Sequence, residues 1–182
     1  MLAGTLANLL SMFMVGVIEK WFGKKIGYAL GVLGTLIFTV AFYFVPETNI
    51  GLLLAVHIAI NVVSGPNAAL IWAMYTDSAD YSEWKTGRRA TGLVMSACTM
   101  AQKFGYTLGG ALGMAVLAFI GYQANTDQTP EALAGIKGMV SWISALPCAV
   151  GCVLILYYPL NAKQLKIIEA DLETRRADGE NR

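Results

Sequence analysis

The chain has 182 residues, of which 56% are apolar and 14% charged, with 13 basic and 12 acidic side chains and a net charge of +1. Soluble domains carry about 25% charged residues, and here every charge except Lys103 lies between or beside long apolar runs. This excludes an ordinary soluble globule and a disordered chain, offers no bulk charge to nucleic acid, and predicts an all-α polytopic membrane protein.

A spanning helix needs about 20 mostly apolar residues. Five runs meet that requirement, at about 2–18, 26–45, 50–75, 90–121 and 138–159. None alternates with period two over strand lengths, which disfavours a β-barrel. Residues 19–25 read as a tight basic turn, 46–49 as a tight polar turn and 76–89 as a longer charged loop. Residues 122–137 are polar, and Pro130 followed by Glu131 suits a helix start. The expected organisation is a transmembrane bundle over residues 1–160 and a cytoplasmic tail over 161–182. In that tail Leu165, Ile168 and Leu172 recur at helical spacing among charges. Two readings stay open for it: a short amphipathic helix on the membrane or on the cytoplasmic loops, or a solvated tail.

Basic residues set the orientation, because they accumulate on the cytoplasmic side. Lys20, Lys24 and Lys25 lie in the first loop, Lys85, Arg88 and Arg89 in the third, and Lys163, Lys166, Arg175, Arg176 and Arg182 in the tail. Lys137 alone lies on the other side. The first and third loops and the tail are therefore expected in the cytoplasm, the protein in the inner (cytoplasmic) membrane, and the amino terminus outside. Met1 opens directly into an apolar run, so no signal peptide is read. Five spans that start outside without a translocation signal predict a chain that is part of something longer.

Cys98, Cys148 and Cys152 sit in apolar runs and read as small hydrophobes, without the His or acidic neighbours of a metal set. Lys103 is the sharpest feature. It lies roughly 20 Å into a helix that starts near Ala90, at ~1.5 Å per residue. A lysine at that depth costs at least ~2.5 kcal/mol, so it needs a partner or a wet cavity. No acid of this chain lies at comparable depth; a structural ion pair and a transport role both remain open. Gly105, Gly109 and Gly113, widened by Gly110, follow at four-residue spacing and predict close helix packing, as do Gly27 and Gly31 on the second span.

Ser64, Gly65, Pro66 and Asn67 are expected to break the third span, as a plain proline kink or as part of a midplane cavity. His57, one turn outward of Asn61, reads as hydrogen-bonded packing ahead of a proton relay. Asp77, Asp80 and Glu83 share a helical face, and Arg88 and Arg89 begin the next span. Opposed charges at two neighbouring helix ends suit a breakable cytoplasmic latch. Solvated carboxylates alone do not make a metal site.

The stretch Asp77-x-x-Asp80-Tyr81-x-Glu83-Trp84-Lys85-Thr86-Gly87-x-Arg89, with Lys103 in the next span, resembles the glycoside–pentoside–hexuronide:cation symporters, a melibiose permease-like family of the major facilitator superfamily. The resemblance continues through Gly121-Tyr122, Asn125, Gln128, Ala132-Leu133-x-Gly135-Ile136 and Tyr158-Pro159-Leu160-Asn161. It implies a twelve-helix fold in two halves with sugar and cation bound between them, and it places this chain over helices eight to twelve. The family's cation-binding and sugar-gripping acids then belong to a first half not represented here. The family's sugar-facing segment of helix eleven maps onto Cys98, Thr99, Gln102 and Lys103. Thr99 and Lys103 match the melibiose permease pattern, whereas Cys98 and Gln102 replace a glutamine and a valine. Ala68 stands where that permease has a sugar-lining tryptophan. Melibiose itself is thereby disfavoured.

The expected function is thus that of the C-terminal portion of a secondary sugar:cation symporter for a glycoside, pentoside or hexuronide, inactive alone. The implied partners are the sugar, the bilayer and a missing N-terminal half; the coupling cation is H+, Na+ or Li+, with no other cofactor, no metal and no nucleic acid. Lys103, Thr99, Gln102 and Cys98 would bind substrate, and Asp77, Asp80, Glu83, Arg88 and Arg89 would form the cytoplasmic gate. The other reading is a truncated membrane scaffold or interaction protein without transport activity; upstream coding sequence for further spans separates the two. An intramembrane enzyme needs a nucleophile with its base, or a metal set, at one depth, and no span supplies catalytic residues of that kind.

Overall fold

The computed structural model describes residues 2–46, 48–124, 126 and 128–180, all of whose regular structure is helical. Glu47 of the expected turn 46–49, Asn125 of the family pattern and Arg182 of the tail lie outside the described residues, as does the side chain of Arg176. In lipid a backbone must satisfy its own hydrogen bonds, and a helix does so within one segment.

Helix α1 (Leu2–Met12) is only 11 residues long. It stops at Phe13 and Met14, whose amides donate to the carbonyls of Leu10 and Ser11 at 3.3 and 3.0 Å. Helix α2 (Val15–Phe44) follows at once and bends at Gly23, with φ 76° and ψ 164°, a conformation open in practice only to glycine. The chain reverses there: a Cβ on Gly27 would stand 2.5 Å from Ile18 Cγ2. The expected basic turn at 19–25 is therefore a reversal about one glycine with helix on both sides. The limb 24–44 runs antiparallel to helix α3 (Ile50–Thr86), with Gly31 against Asn67 and Gly34 against Val63. Helix α1 runs parallel to α3, with Gly4 against His57 and Gly65 against Asn8 and Ser11.

Helix α3 corrects two expectations. It is continuous for 37 residues, from the Asn49 cap, whose Oδ1 accepts the Leu52 amide at 3.1 Å, to Gly87 at φ 68°. Pro66 lies inside it without breaking it. A mid-helix proline costs about 3 kcal/mol, and here Gly65 and Pro66 are both buried, Gly65 directly under α1, so packing offsets that loss. The predicted loop 76–89 is also helical as far as Thr86, because Met74, Asp77, Ala79 and Glu83 continue its buried face.

Among the described residues, three helical segments are long and apolar enough to cross a membrane: Val15–Phe44, Ile50–Thr86 and Pro130–Leu156. The expected count of five differs for two local reasons. The first expected span is divided at Phe13–Met14. The fourth, helix α4 (Thr91–Phe119), carries Gln102 and Lys103 in its middle. The last span starts earlier than expected, at Pro130, where Thr129 Oγ1 accepts the Ala132 amide at 3.2 Å. It joins helix α5 (Pro130–Gly138), a π turn (Met139–Ile143) and helix α6 (Ser144–Leu156). The widened turn comes just before Pro147, whose ring displaces the carbonyl four residues earlier. Lys137 Nζ caps the end of α2 by donating to the Val45 carbonyl at 2.9 Å.

Helix α7 (Ala162–Glu180) decides between the two readings of the tail. Leu165, Ile168 and Leu172, with Leu160, are buried against Tyr81, Trp84 and Tyr158. The tail is thus an amphipathic helix docked on the end of α3. The Trp84 indole N–H donates to Asp171 Oδ2 at 2.7 Å, and Arg175 bonds the same carboxylate at 2.6 Å. Trp84→Phe keeps the ring packing and removes that donor, a loss of about 1 kcal/mol. Trypsin should then cut after Lys163 and Lys166 roughly five times faster; equal rates would assign the docking to the apolar cluster alone.

Candidate functional site

Helix α4 buries no residue and packs chiefly on α3. One face of it, spaced at three and four residues, forms an open groove of about 670 Å³ lined by Met95, Ser96, Thr99, Met100, Lys103, Phe104 and Thr107. The two threonines turn their hydroxyl protons back onto the helix: Thr99 donates to the Met95 carbonyl at 2.6 Å and Thr107 to the Lys103 carbonyl at 2.9 Å. Their oxygens remain acceptors beside the exposed Lys103 ammonium, and no acid lines the groove. The face offers a cation and hydroxyl oxygens set among the larger apolar surfaces of Met95, Met100 and Phe104, a mixed wall able to meet both hydroxyl groups and apolar ring faces.

The four expected substrate residues are not on one face. Thr99 and Lys103 share the groove, Gln102 is half-buried beside it, and Cys98 points to a second cavity with Tyr28, Tyr75, Ser78 and Tyr158. Adjacent helical residues are about 100° apart, so Cys98 cannot turn with Thr99. The glycines after Lys103 also depart from expectation: a Cβ on Gly105, Gly109, Gly110 or Gly113 would meet nothing within 4 Å.

The expected cytoplasmic gate has a different pairing. Asp77 is 4% exposed and bonds Lys24 at 2.8 Å, with Glu19 3.8 Å from the same ammonium. Lys25 donates to the carbonyls of Leu156 and Tyr158 at 3.1 and 2.7 Å, tying α2 to the end of α6. Arg88 and Arg89 are exposed, Asp80 is half-buried and Glu83 is buried. Asp77 thus faces a lysine of the α2 reversal, not the arginines at the start of α4. The helix α3 extension separates them: it carries Asp77 more than two turns back from Arg88.

A polar seam joins α1 to α3. Asn8 Nδ2 donates to the Asn61 carbonyl at 3.0 Å, and Asn61 Nδ2 donates to the His57 carbonyl at 2.8 Å and lies 3.3 Å from its Nε2. Sequence reasoning gave Lys24 only an orientation role and Tyr158 only a place in the family pattern, and it did not name Asn8 or Ser11. For the α1 pair a signal existed, since Gly4, Asn8 and Ser11 form a small and polar stripe at helical spacing in an otherwise apolar run.

Helical segments of membrane-spanning length, with a lysine on the open face of a further helix, place the chain among multi-pass helical membrane proteins. The chain belongs to the MFS/sugar transport protein family, whose model matches residues 1–162. Among its relatives, a glucuronide carrier protein homolog of Escherichia coli is 32% identical over 96% of this chain and 38% of its own length. An isoprimeverose transporter of Lactiplantibacillus pentosus is 33% identical over 88% of this chain and 34% of its own length. A putative glycoside/cation symporter of Escherichia coli is 26% identical over 97% and 39%. The chain therefore spans well under half of the length of each of these three relatives.

Proposed function

We propose that these helices form the C-terminal part of a secondary sugar:cation symporter in the inner membrane, with the α2 reversal, the end of α3 and helix α7 in the cytoplasm. The remaining helices of such a transporter supply the other wall of the substrate cleft, and transport proceeds by rocking of the two parts around a midplane site. The observation that carries this reading is Lys103, exposed at mid-helix on the open hydroxyl-lined groove of α4. Lys103 and Thr99 hold the sugar hydroxyls or carboxylate, with Gln102 at the rim. A coupling cation (H+, Na+ or Li+) binds among acids outside this chain. Asp77, Asp80, Glu83, Arg88 and Arg89 close the cytoplasmic side, with Lys24 holding Asp77 in place. The chemistry is binding and release; no bond of the sugar is broken.

Lys103→Leu in the complete transporter tests this. The substitution removes the ~2.5 kcal/mol or larger insertion penalty of a mid-membrane charge. The variant should keep its melting temperature in detergent and lose sugar counterflow per folded molecule. Unchanged counterflow in a stable variant would sink the proposal. Counterflow that falls only in step with folded protein would assign Lys103 to a structural ion pair.

A further inference from the structure

Helix α1 is held to α3 by little apolar surface. Its two buried residues are Gly4 and Ser11, both on the polar seam, while Leu2, Leu6, Leu9 and Leu10 are exposed. At one end of that seam stands His57, the one histidine of the chain.

The contact between His57 and Asn61 fixes the state of the ring. Asn61 Nδ2 donates to the His57 carbonyl at 2.8 Å, where Oδ1 would set two acceptors against each other. The atom 3.3 Å from Nε2 is therefore a donor, and Nε2 presents its lone pair to it. The ring is neutral, with its proton on Nδ1. Gly4 closes the contact from the α1 side: a Cβ there would stand 2.8 Å from Nε2 and 2.9 Å from Asn61 Nδ2. The same Asn61 carries α1, because its carbonyl accepts Asn8 Nδ2 at 3.0 Å.

A proton on Nε2 would put donor against donor. It would also add a charge that no described acid faces, and an unanswered charge in such a place is costly. Helix α1 has no titratable side chain over residues 2–12. On α2 the titratable group nearest this level is Tyr43, which lies against Trp142 and Lys137. Helix α4 has none beyond Tyr106, and α7 docks at the opposite end of α3. Gly4 leaves the ring no room to swing toward α1, and turning the Asn61 amide over would set Oδ1 against the His57 carbonyl. The relief left is for α1 to move away and admit water.

We propose that His57 is a proton-operated catch: neutral, it holds α1 on α3, and protonated, it lets α1 go. It lies about 10 Å inside the start of α3 at ~1.5 Å per residue. In the orientation proposed above this is the outer side, so the catch answers external acid. It needs neither a sugar nor Lys103, so it and the transport reading can fail independently.

With one histidine in the chain, ring NMR signals of protein free of any histidine tag report His57 alone. The full chain in lipid nanodiscs is titrated from about pH 8 to about pH 5, the range in which histidine changes charge. At the upper end the nitrogen shifts should show Nδ1 protonated and Nε2 bare. As the ring takes up its proton, the α1 amides should exchange with deuterium roughly tenfold faster, once the intrinsic pH dependence of exchange is divided out. Amides of residues 24–44 should not follow. His57→Gln offers Asn61 an acceptor oxygen that does not titrate in this range, and its α1 amides should stay slow throughout. A neutral ring protonated on Nε2 would overturn the proposal, as would a ring still neutral at the lower end. So would α1 exchange that stays unchanged while the ring titrates, or the same acceleration in His57→Gln.

Discussion

Asp77→Asn should lower the melting temperature in detergent by about 6–12 °C, which corresponds to roughly 3 kcal/mol for a chain of this size. The substitution removes the charge that faces Lys24 at 2.8 Å and leaves the ammonium in a half-buried site. Breaking one side of a buried pair typically costs about 3–5 kcal/mol. The lower end applies, because the Lys24 side chain keeps 21% exposure while that of Asp77 keeps 5%. Replacing both partners, as Lys24→Met/Asp77→Leu, should recover most of the loss, since an apolar pair has no charge to desolvate. A double variant as unstable as Asp77→Asn alone would mean that the two side chains are not each other's main partners.

Gly65→Val and Gly109→Ala should act in opposite directions. A Cβ on Gly65 would stand 2.5 Å from the Asn8 backbone carbonyl and would also strike Ser11. Backbone cannot yield as a flexible side chain can, so α1 must move away from α3, at a cost of about 2–3 kcal/mol. A Cβ on Gly109 meets nothing within 4 Å. Alanine there gains helix propensity of about 0.5–1 kcal/mol. Melting followed by circular dichroism should show a fall for the first and a small rise for the second. A fall at Gly109 comparable to that at Gly65 would show that the glycine face of α4 is covered by another helix in the membrane.

The all-helical architecture was legible because apolar runs of spanning length and their flanking charges are one-dimensional features. So was the docking face of α7, written as Leu165, Ile168 and Leu172 at helical spacing. The course of α3 was not. Gly65-Pro66 reads locally as a breaker, and only the burial of both residues, with α1 crossing over Gly65, explains why the helix continues. The charged stretch after Thr76 looked like a loop for a similar reason: its charges hid the buried positions Asp77, Ala79 and Glu83. At the candidate site, Lys103 stood out because a lysine amid apolar residues is costly. The 100° between Cys98 and Thr99 follows from helix geometry, but which of the two turns away from α3 depends on packing, and no residue of α4 states that by itself. The Lys24–Asp77 pair joins positions 53 residues apart, and Lys24 alone looked like one more orientation charge.

Helix α3 spans about 55 Å at ~1.5 Å per residue, against a hydrocarbon layer of about 30 Å. Helical on both sides of Pro66, it forms one long lever from Ile50 to Thr86. A tilt of roughly 5° about its outer end carries the Trp84 end sideways by about 5 Å over that length. Because α7 is fastened there through Asp171 and the leucine cluster, the tail is a pointer attached to the lever: a small displacement in the membrane is displayed, enlarged, on a face of the protein that soluble probes can reach.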